Sequence, residues 1–226
     1  MAFVNDEAVA KGRDTFSIWK GHMDNFTWLS DNRGIAADVI ILFASNCMFV
    51  RALHLDGFGD RPAICPGEGG EHLPYGWNNR QRILKNPRII DVFRSQGIPL
   101  TFGQHEGLTI EWNTMEKVVR FCREHDLEGR IDHQCVFEEV LPHSLAEFYT
   151  GRRAFYICRM LWERPSPIHM DSLDWILDGG GEGEAPGIPD WLAVYGYICA
   201  IKPIMRRFDD PLRARLRELA DGYHGC

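Results

Sequence analysis

The longest apolar stretch of the chain, residues 35–55, constrains the fold most, because so much apolar surface needs a large buried environment. Its sequence is IAADVIILFASNCMFVRALHL. Asp38, Asn46, Arg51 and His54 interrupt it, and each charge at bilayer depth would cost about 3 kcal/mol. The stretch therefore favours a helix buried at the centre of a folded domain over a helix that spans a membrane.

The composition is that of an ordinary folded protein. Of the 226 residues, 45% are hydrophobic and 25% are charged, values that argue against disorder. We expect a single domain over residues 1–226, with a C-terminal helical pair at residues 188–226 packed on it. The net charge of −7 and the shortness of the basic clusters argue against nucleic acid as a partner. We expect no membrane partner either.

The cysteines and the N-terminus indicate a cytoplasmic location. Seven cysteines are present and none forms a CxxC pair, which removes the main support for a zinc ribbon or a thioredoxin-like redox site. The first residues lack the basic region followed by an apolar run that marks a signal peptide. A reducing compartment is therefore expected, whereas the cofactor and the oligomeric state stay open.

Capping residues, prolines and glycines mark several helix boundaries. Asn86-Pro87 begins a helix that Gly97 ends. Capping-box patterns begin two more helices at Asn113 and Ser144, and Asp210-Pro211 begins the last one. The predicted helices number about seven, and they include residues 6–29, 35–55, 144–164 and 189–208.

A small antiparallel sheet is predicted between the helices. Residues 100–102 and 108–112 are two β-prone runs on either side of the sequence GQHEG, a pattern typical of a hairpin. Residues 130–137 alternate between apolar and polar side chains, which favours a further strand. The predicted class is therefore α+β, dominated by helices, with one small antiparallel sheet.

The stretch 56–80 shows no helix or strand pattern, and structureless loops of this length in compact domains are usually either functional or disordered. Its glycines would let the backbone approach a ligand closely. His72, Tyr75 and Trp77 offer polar tips on apolar bodies, as ligand pockets often do. We predict that the loop covers a pocket, with His72 as an acid–base group and Tyr75 and Trp77 as substrate contacts. The alternative is a surface wrap that pins its aromatic side chains onto the core.

Two further segments offer groups for acid–base chemistry. His105 and Glu106 lie between glycines at the tip of the predicted hairpin, and His133 lies on the predicted strand. Imidazole changes its charge near neutral pH and can serve as a general acid or base. We predict His105 and His133 as catalytic residues and Glu106 as a substrate contact; the alternative for the tip is a polar turn.

No metal site is predicted. Residues 132–147 contain several histidines and carboxylates, but their spacing matches no strong metal-binding template. The side chains considered as ligands are Asp132, His133, Glu138, Glu139, His143 and Glu147.

These features lead to two hypotheses on function. The first is an enzyme or binding protein for a small organic molecule, with an aromatic-lined pocket covered by residues 56–80 and histidines as acid–base groups. The alternative is a protein-interaction module, such as an adaptor, an inhibitor or a viral structural protein, whose loop aromatics anchor a partner. We expect a small-molecule ligand, and the sequence fixes neither the substrate nor the reaction.

Overall fold

Helix is the main secondary structure in the part of the chain that the computed structural model describes: residues 16–33, 37–43, 47–49, 81–103, 105–152, 155–156, 158–160, 200–202 and 209–222. Its α-helices are α1 (Phe16–Arg33), α2 (Pro87–Gln96), α3 (Trp112–Glu124), α4 (Leu141–Thr150) and α5 (Pro211–Gly222). Its strands are β1 (Val39–Ile41), β2 (Met48–Phe49), β3 (Leu108–Glu111), β4 (Phe155–Tyr156), β5 (Cys158–Met160) and β6 (Ala200–Lys202), and 3₁₀ turns cover Glu128–Arg130 and Phe137–Glu139. The predicted helix-dominated α+β class is confirmed.

The chain folds as two compact units. Unit 1 contains α1 to α4, β1 and most of β3, and unit 2 contains β2, β4, β5, β6 and α5. The single domain expected over residues 1–226 stays a prediction. Across the described ranges, no helix is both long and apolar enough to cross a membrane.

The core of unit 1 forms where α1, α3 and α4 bury their apolar faces. Trp19, Met115 and Leu145, one from each helix, are fully buried. Removing such a side chain from water stabilises the fold by about 1.5–3 kcal/mol. In this core, α3 packs against α4, and α1 packs against the 3₁₀ turn Phe137–Glu139.

Each unit contains short paired strands. In unit 1, β1 and β3 run antiparallel, with Val39 opposite Glu111 and Ile41 opposite Thr109. The predicted small antiparallel sheet is present in this pair. In unit 2, β6 lies between β2, to which it is antiparallel, and β5, to which it is parallel.

Helix boundaries set by local chemistry agree with the predictions. Helix α2 begins at Pro87 directly after Asn86, and Gly97 ends it with a φ of 68°, a left-handed conformation that glycine adopts without strain. Helix α5 begins at Pro211, as predicted, and the backbone N–H of Arg213 donates to the Asp210 side chain over 3.1 Å. This hydrogen bond satisfies one of the backbone donors that a helix start leaves free.

The central helix predicted over residues 35–55 is wrong. The described part of that stretch contains β1 and β2 instead. β1 consists of the branched residues Val39, Ile40 and Ile41, which favour strands because they pack well on a pleated surface. The described part of the apolar run therefore contains short strands, and the length of an apolar run alone does not distinguish strands from a helix.

The predicted hairpin and the predicted strand at residues 130–137 are also wrong. Residues 98–103 form no strand, and β3 pairs with β1. Residues 131–136 are irregular between two 3₁₀ turns. In both segments the backbone groups form hydrogen bonds with side chains or with a turn, and not with a neighbouring strand. For example, the N–H groups of Asp132 and His133 both donate to the Asn86 side chain.

Three further helix predictions are corrected. Helix α3 begins at Trp112 with Glu111 in the cap position, not Asn113. The helix predicted over residues 144–164 begins at Leu141 and ends at Thr150, because Gly151 turns the chain with a φ of 68° and β4 and β5 follow. The helix predicted over residues 189–208, part of the expected C-terminal pair, contains strand β6 in its described part.

Candidate functional site

Polar side chains are concentrated in the interior of unit 1 around the start of α4. Glu138 and Glu139 are 3% and 4% exposed, and His143 and Ser144 are 1% and 0% exposed. Burying a polar group without a compensating partner costs about 1–3 kcal/mol. A fold therefore keeps such groups where they hold structure or perform chemistry.

The local sequence leaves these side chains no exposed face. Every residue from 137 to 146 is buried. Leu141 and Leu145 are fully buried on successive turns of α4, and Pro142 lies in the first turn. A helix surrounded on all sides must take its polar residues into the interior as well, which is how His143 and Ser144 come to lie there.

Helix α1 brings a histidine to this region. The ring of His22 lies 6.4 Å from the ring of Trp19 and 5.9 Å from the ring of His105, measured between centroids. Atom Nε2 of His22 and atom Nδ1 of His105 are both buried. Six residues before His22, Phe16 packs edge to face on Phe137 with ring centroids 5.3 Å apart. Helix α1 therefore contacts both the 3₁₀ turn and the segment that carries His105.

The segment before His105 is fixed by hydrogen bonds. The N–H of Thr101 donates to Oγ of Ser144 over 2.9 Å, and the same hydroxyl donates to the Thr101 carbonyl oxygen over 3.1 Å. The Thr101 hydroxyl donates to Oε2 of Glu147 over 2.5 Å. We call these three bonds the Thr101 clamp. Two residues on, the N–H of Gly103 donates to the carbonyl oxygen of Glu139 over 3.0 Å.

The resulting arrangement joins two imidazoles to a region of buried carboxylates. Imidazole can accept or donate a proton near neutral pH, and a carboxylate in a dry interior interacts strongly with a nearby charge. His22 and His105 are in ring contact, and the Gly103–Glu139 bond holds the His105 segment against the turn that carries Glu138. Such an arrangement suits proton transfer or the binding of a polar ligand.

The described thiols of unit 1 are not nucleophiles at neutral pH. Burial raises the pKa of Cys122 to about 12, and the neighbouring Trp19 side chain and the charge of Arg123 offset this only in part. Burial also raises the pKa of Cys135 to about 12. Nucleophilic attack requires the thiolate, so both cysteines serve as small apolar side chains.

The described members of the predicted site have different surroundings. His105 is half-buried and in contact with His22. His133 is exposed, and its backbone N–H donates to Oδ1 of Asn86 over 2.9 Å. Glu106 is 4% exposed and belongs to unit 2. The catalytic roles of His105 and His133 and the substrate contact at Glu106 stay predictions.

Three predicted site residues, His72, Tyr75 and Trp77, lie outside the described residues, as does the whole loop 56–80. Within the described ranges, no three histidine, cysteine or acidic side chains are placed to hold one metal ion. Asp132, considered among such ligands, forms an ion pair with Arg88 at 2.9 Å.

Sequence reasoning missed His22 as a site residue. The signal for it lay in the predicted first helix, where Trp19, Met23 and Phe26 repeat at helical spacing. His22 is three residues after Trp19, and residues three apart share a helix face. A histidine on an otherwise apolar face could have been noted as a buried polar group.

Comparison with protein-family models, curated proteins and solved structures found no match. The functional interpretation therefore rests on the geometry of the chain itself.

Proposed function

We propose that unit 1 binds a small organic molecule at the junction of α1, the His105 segment and the 3₁₀ turn Phe137–Glu139, and that His105 acts there as the acid or base. The ring contact between His22 and His105, with centroids 5.9 Å apart, carries the proposal. Imidazole can serve as a general acid or base, and a neighbouring imidazole can take up or return the proton.

The buried residues around this contact support the proposal. Glu138, Glu139 and His143 are each less than 5% exposed, and buried titratable groups are more frequent at functional sites than elsewhere. Such groups also hold structures together, so the distinction needs a ligand-binding experiment. The lid role predicted for residues 56–80 belongs to the same proposal but does not carry it.

The test is a screen of a fragment library of small organic acids, amines and heterocycles by ligand-observed NMR on the full chain. We expect fragments that bind the wild type and lose about tenfold or more in affinity on His105→Ala, the loss expected for one hydrogen bond to a charged group. Gln134→Ala is the matched control, because Gln134 is exposed and has no predicted role in the site.

A library in which no fragment distinguishes His105→Ala from Gln134→Ala would overturn the proposal. The alternative, a protein-interaction module, relied on Tyr75 and Trp77, which lie outside the described residues, and it stays a prediction.

A further inference from the structure

Residues 98–103 have no regular secondary structure, so their backbone groups need partners outside a helix or sheet. The Ser144 side chain is the partner of two of these backbone groups. The Ser144 hydroxyl accepts from the N–H of Thr101 and donates to its carbonyl oxygen. Ser144 thus gives Thr101 both hydrogen bonds that a neighbouring strand would give.

Two more bonds fix the same segment at alternate residues. The Thr101 side chain donates to Glu147, one turn after Ser144 on α4, and the N–H of Gly103 donates to the carbonyl oxygen of Glu139. Extended chain advances by about 3.3 Å per residue. His105, two residues after Gly103, therefore has little freedom to move away from α4 and the 3₁₀ turn.

From this arrangement we infer that Ser144 is a positioning residue for the site at His105: through the Thr101 clamp it sets where the His105 imidazole lies against His22. The inference rests on the proposed function for its biological meaning. Ser144 itself is fully buried and its hydroxyl is used in both directions by Thr101. It acts through the segment and does not contact the ligand.

The test uses Ser144→Ala in the full chain. Ser95→Ala is the matched control, because the Ser95 hydroxyl donates within its own helix, to the carbonyl oxygen of Val92 over 2.9 Å. NMR reports the imidazole resonances of His105 and of the exposed His133, and the amide exchange rate of Gly103.

In Ser144→Ala we expect the His105 resonances to shift and Gly103 exchange to rise about fivefold to tenfold, the effect of losing one hydrogen bond of typical net strength. The His133 resonances should stay as in the wild type, and Ser95→Ala should leave all three signals unchanged. Unchanged His105 resonances in folded Ser144→Ala would overturn the inference, since a merely structural serine would alter stability without moving that imidazole.

If Ser144→Ala does not fold, Ser144→Cys decides. This substitution keeps a side chain of similar size and weakens both bonds to the Thr101 backbone, because a thiol is a weak donor and a weak acceptor. A shift of the His105 resonances then supports the clamp, and unchanged resonances overturn it. The fragment screen is independent of this outcome: a clamp without fragment binding refutes the proposed function alone, and fragment binding without a His105 shift refutes the clamp alone.

Discussion

Asn86 lies at the centre of a hydrogen-bond network that a substitution should disrupt in a measurable way. It is fully buried. Its Oδ1 accepts from the N–H groups of Asp132 and His133, each over 2.9 Å, and its Nδ2 donates to the carbonyl oxygen of Arg82 over 3.2 Å. Asn86→Ala would leave the N–H groups of Asp132 and His133 without this acceptor, whereas the carbonyl oxygen of Arg82 still accepts from the N–H of Lys85 over 3.1 Å. Asn86 also precedes α2, but its side chain makes no capping bond to that helix.

The expected cost follows mainly from the two N–H groups that lose their acceptor. An unsatisfied buried group costs about 1–3 kcal/mol, and water can reach part of this segment because Asp132 and His133 are exposed residues. We therefore expect Asn86→Ala to lower the free energy of unfolding by about 2–4 kcal/mol. For a chain of this size that is a fall in Tm of about 5–15 °C.

Urea unfolding followed by circular dichroism measures the change in free energy, and amide exchange locates it. We expect faster exchange at Asp132 and His133, whereas loss of a helix cap would speed exchange in the first turn of α2. Asn113→Ala is the control, since Asn113 is an exposed residue of α3 and should change stability by less than about 0.5 kcal/mol. A change of that small size for Asn86→Ala would refute the argument.

Two further predictions concern a turn and a thiol. A Cβ at Gly129 would clash with Oδ2 of Asp126, whose Oδ1 accepts from the Gly129 N–H. Gly129→Ala should therefore lower the free energy of unfolding, measured in urea, by about 0.5–1.5 kcal/mol. The decrease should be clearly smaller when Asp126 is also replaced by glycine. Equal decreases with and without Asp126→Gly would contradict the clash. For Cys122, the folded-state pKa of about 12 exceeds the reference value of 9.0, so the unfolded chain releases the proton first and stability falls as pH rises from about 9 towards about 12. Between about pH 9 and pH 10 the free energy of unfolding should fall by about 1 kcal/mol more in the wild type than in Cys122→Ala. Equal falls in the two proteins would show that the buried thiol does not cause this loss of stability.

The parts of the fold that were predicted correctly are those whose cause is local. Asn86-Pro87 and Gly97 mark the ends of α2, and Asp210-Pro211 marks the start of α5, because proline and glycine restrict or widen the backbone angles at their own positions. These restrictions act whatever the rest of the chain does.

The parts that were predicted wrongly depend on partners far away in the chain. The strand β1 exists because Val39 to Ile41 meet residues 109–111, about seventy positions later. Residues 131–136 stay irregular although they alternate in polarity, because the Asn86 side chain, 46 residues before Asp132, takes the N–H that a ladder would use. Periodicity contains no information on either partner.

The candidate site divides in the same way. His105 could be proposed from the sequence because its flanking glycines and polar neighbours are visible there. Its partner His22 was not found, since only the packing of α1 against the His105 segment makes them neighbours. Glu106, adjacent to His105 in sequence, belongs to unit 2, so adjacency along the chain does not make two residues part of one unit.

Ser144 and Glu147 show why the same pair of residues can support two different interpretations. Their spacing matches a capping box, which predicts bonds between these side chains and the backbone at a helix start. In the structure α4 begins three residues earlier, at Leu141, and Ser144 and Glu147 both bond to Thr101 instead. A helix start that is exposed to water needs its own side chains as caps. The start of α4 is instead buried between apolar residues, and their burial already favours a helix start at this position. The polar atoms are then available to a distant segment, and that segment carries His105.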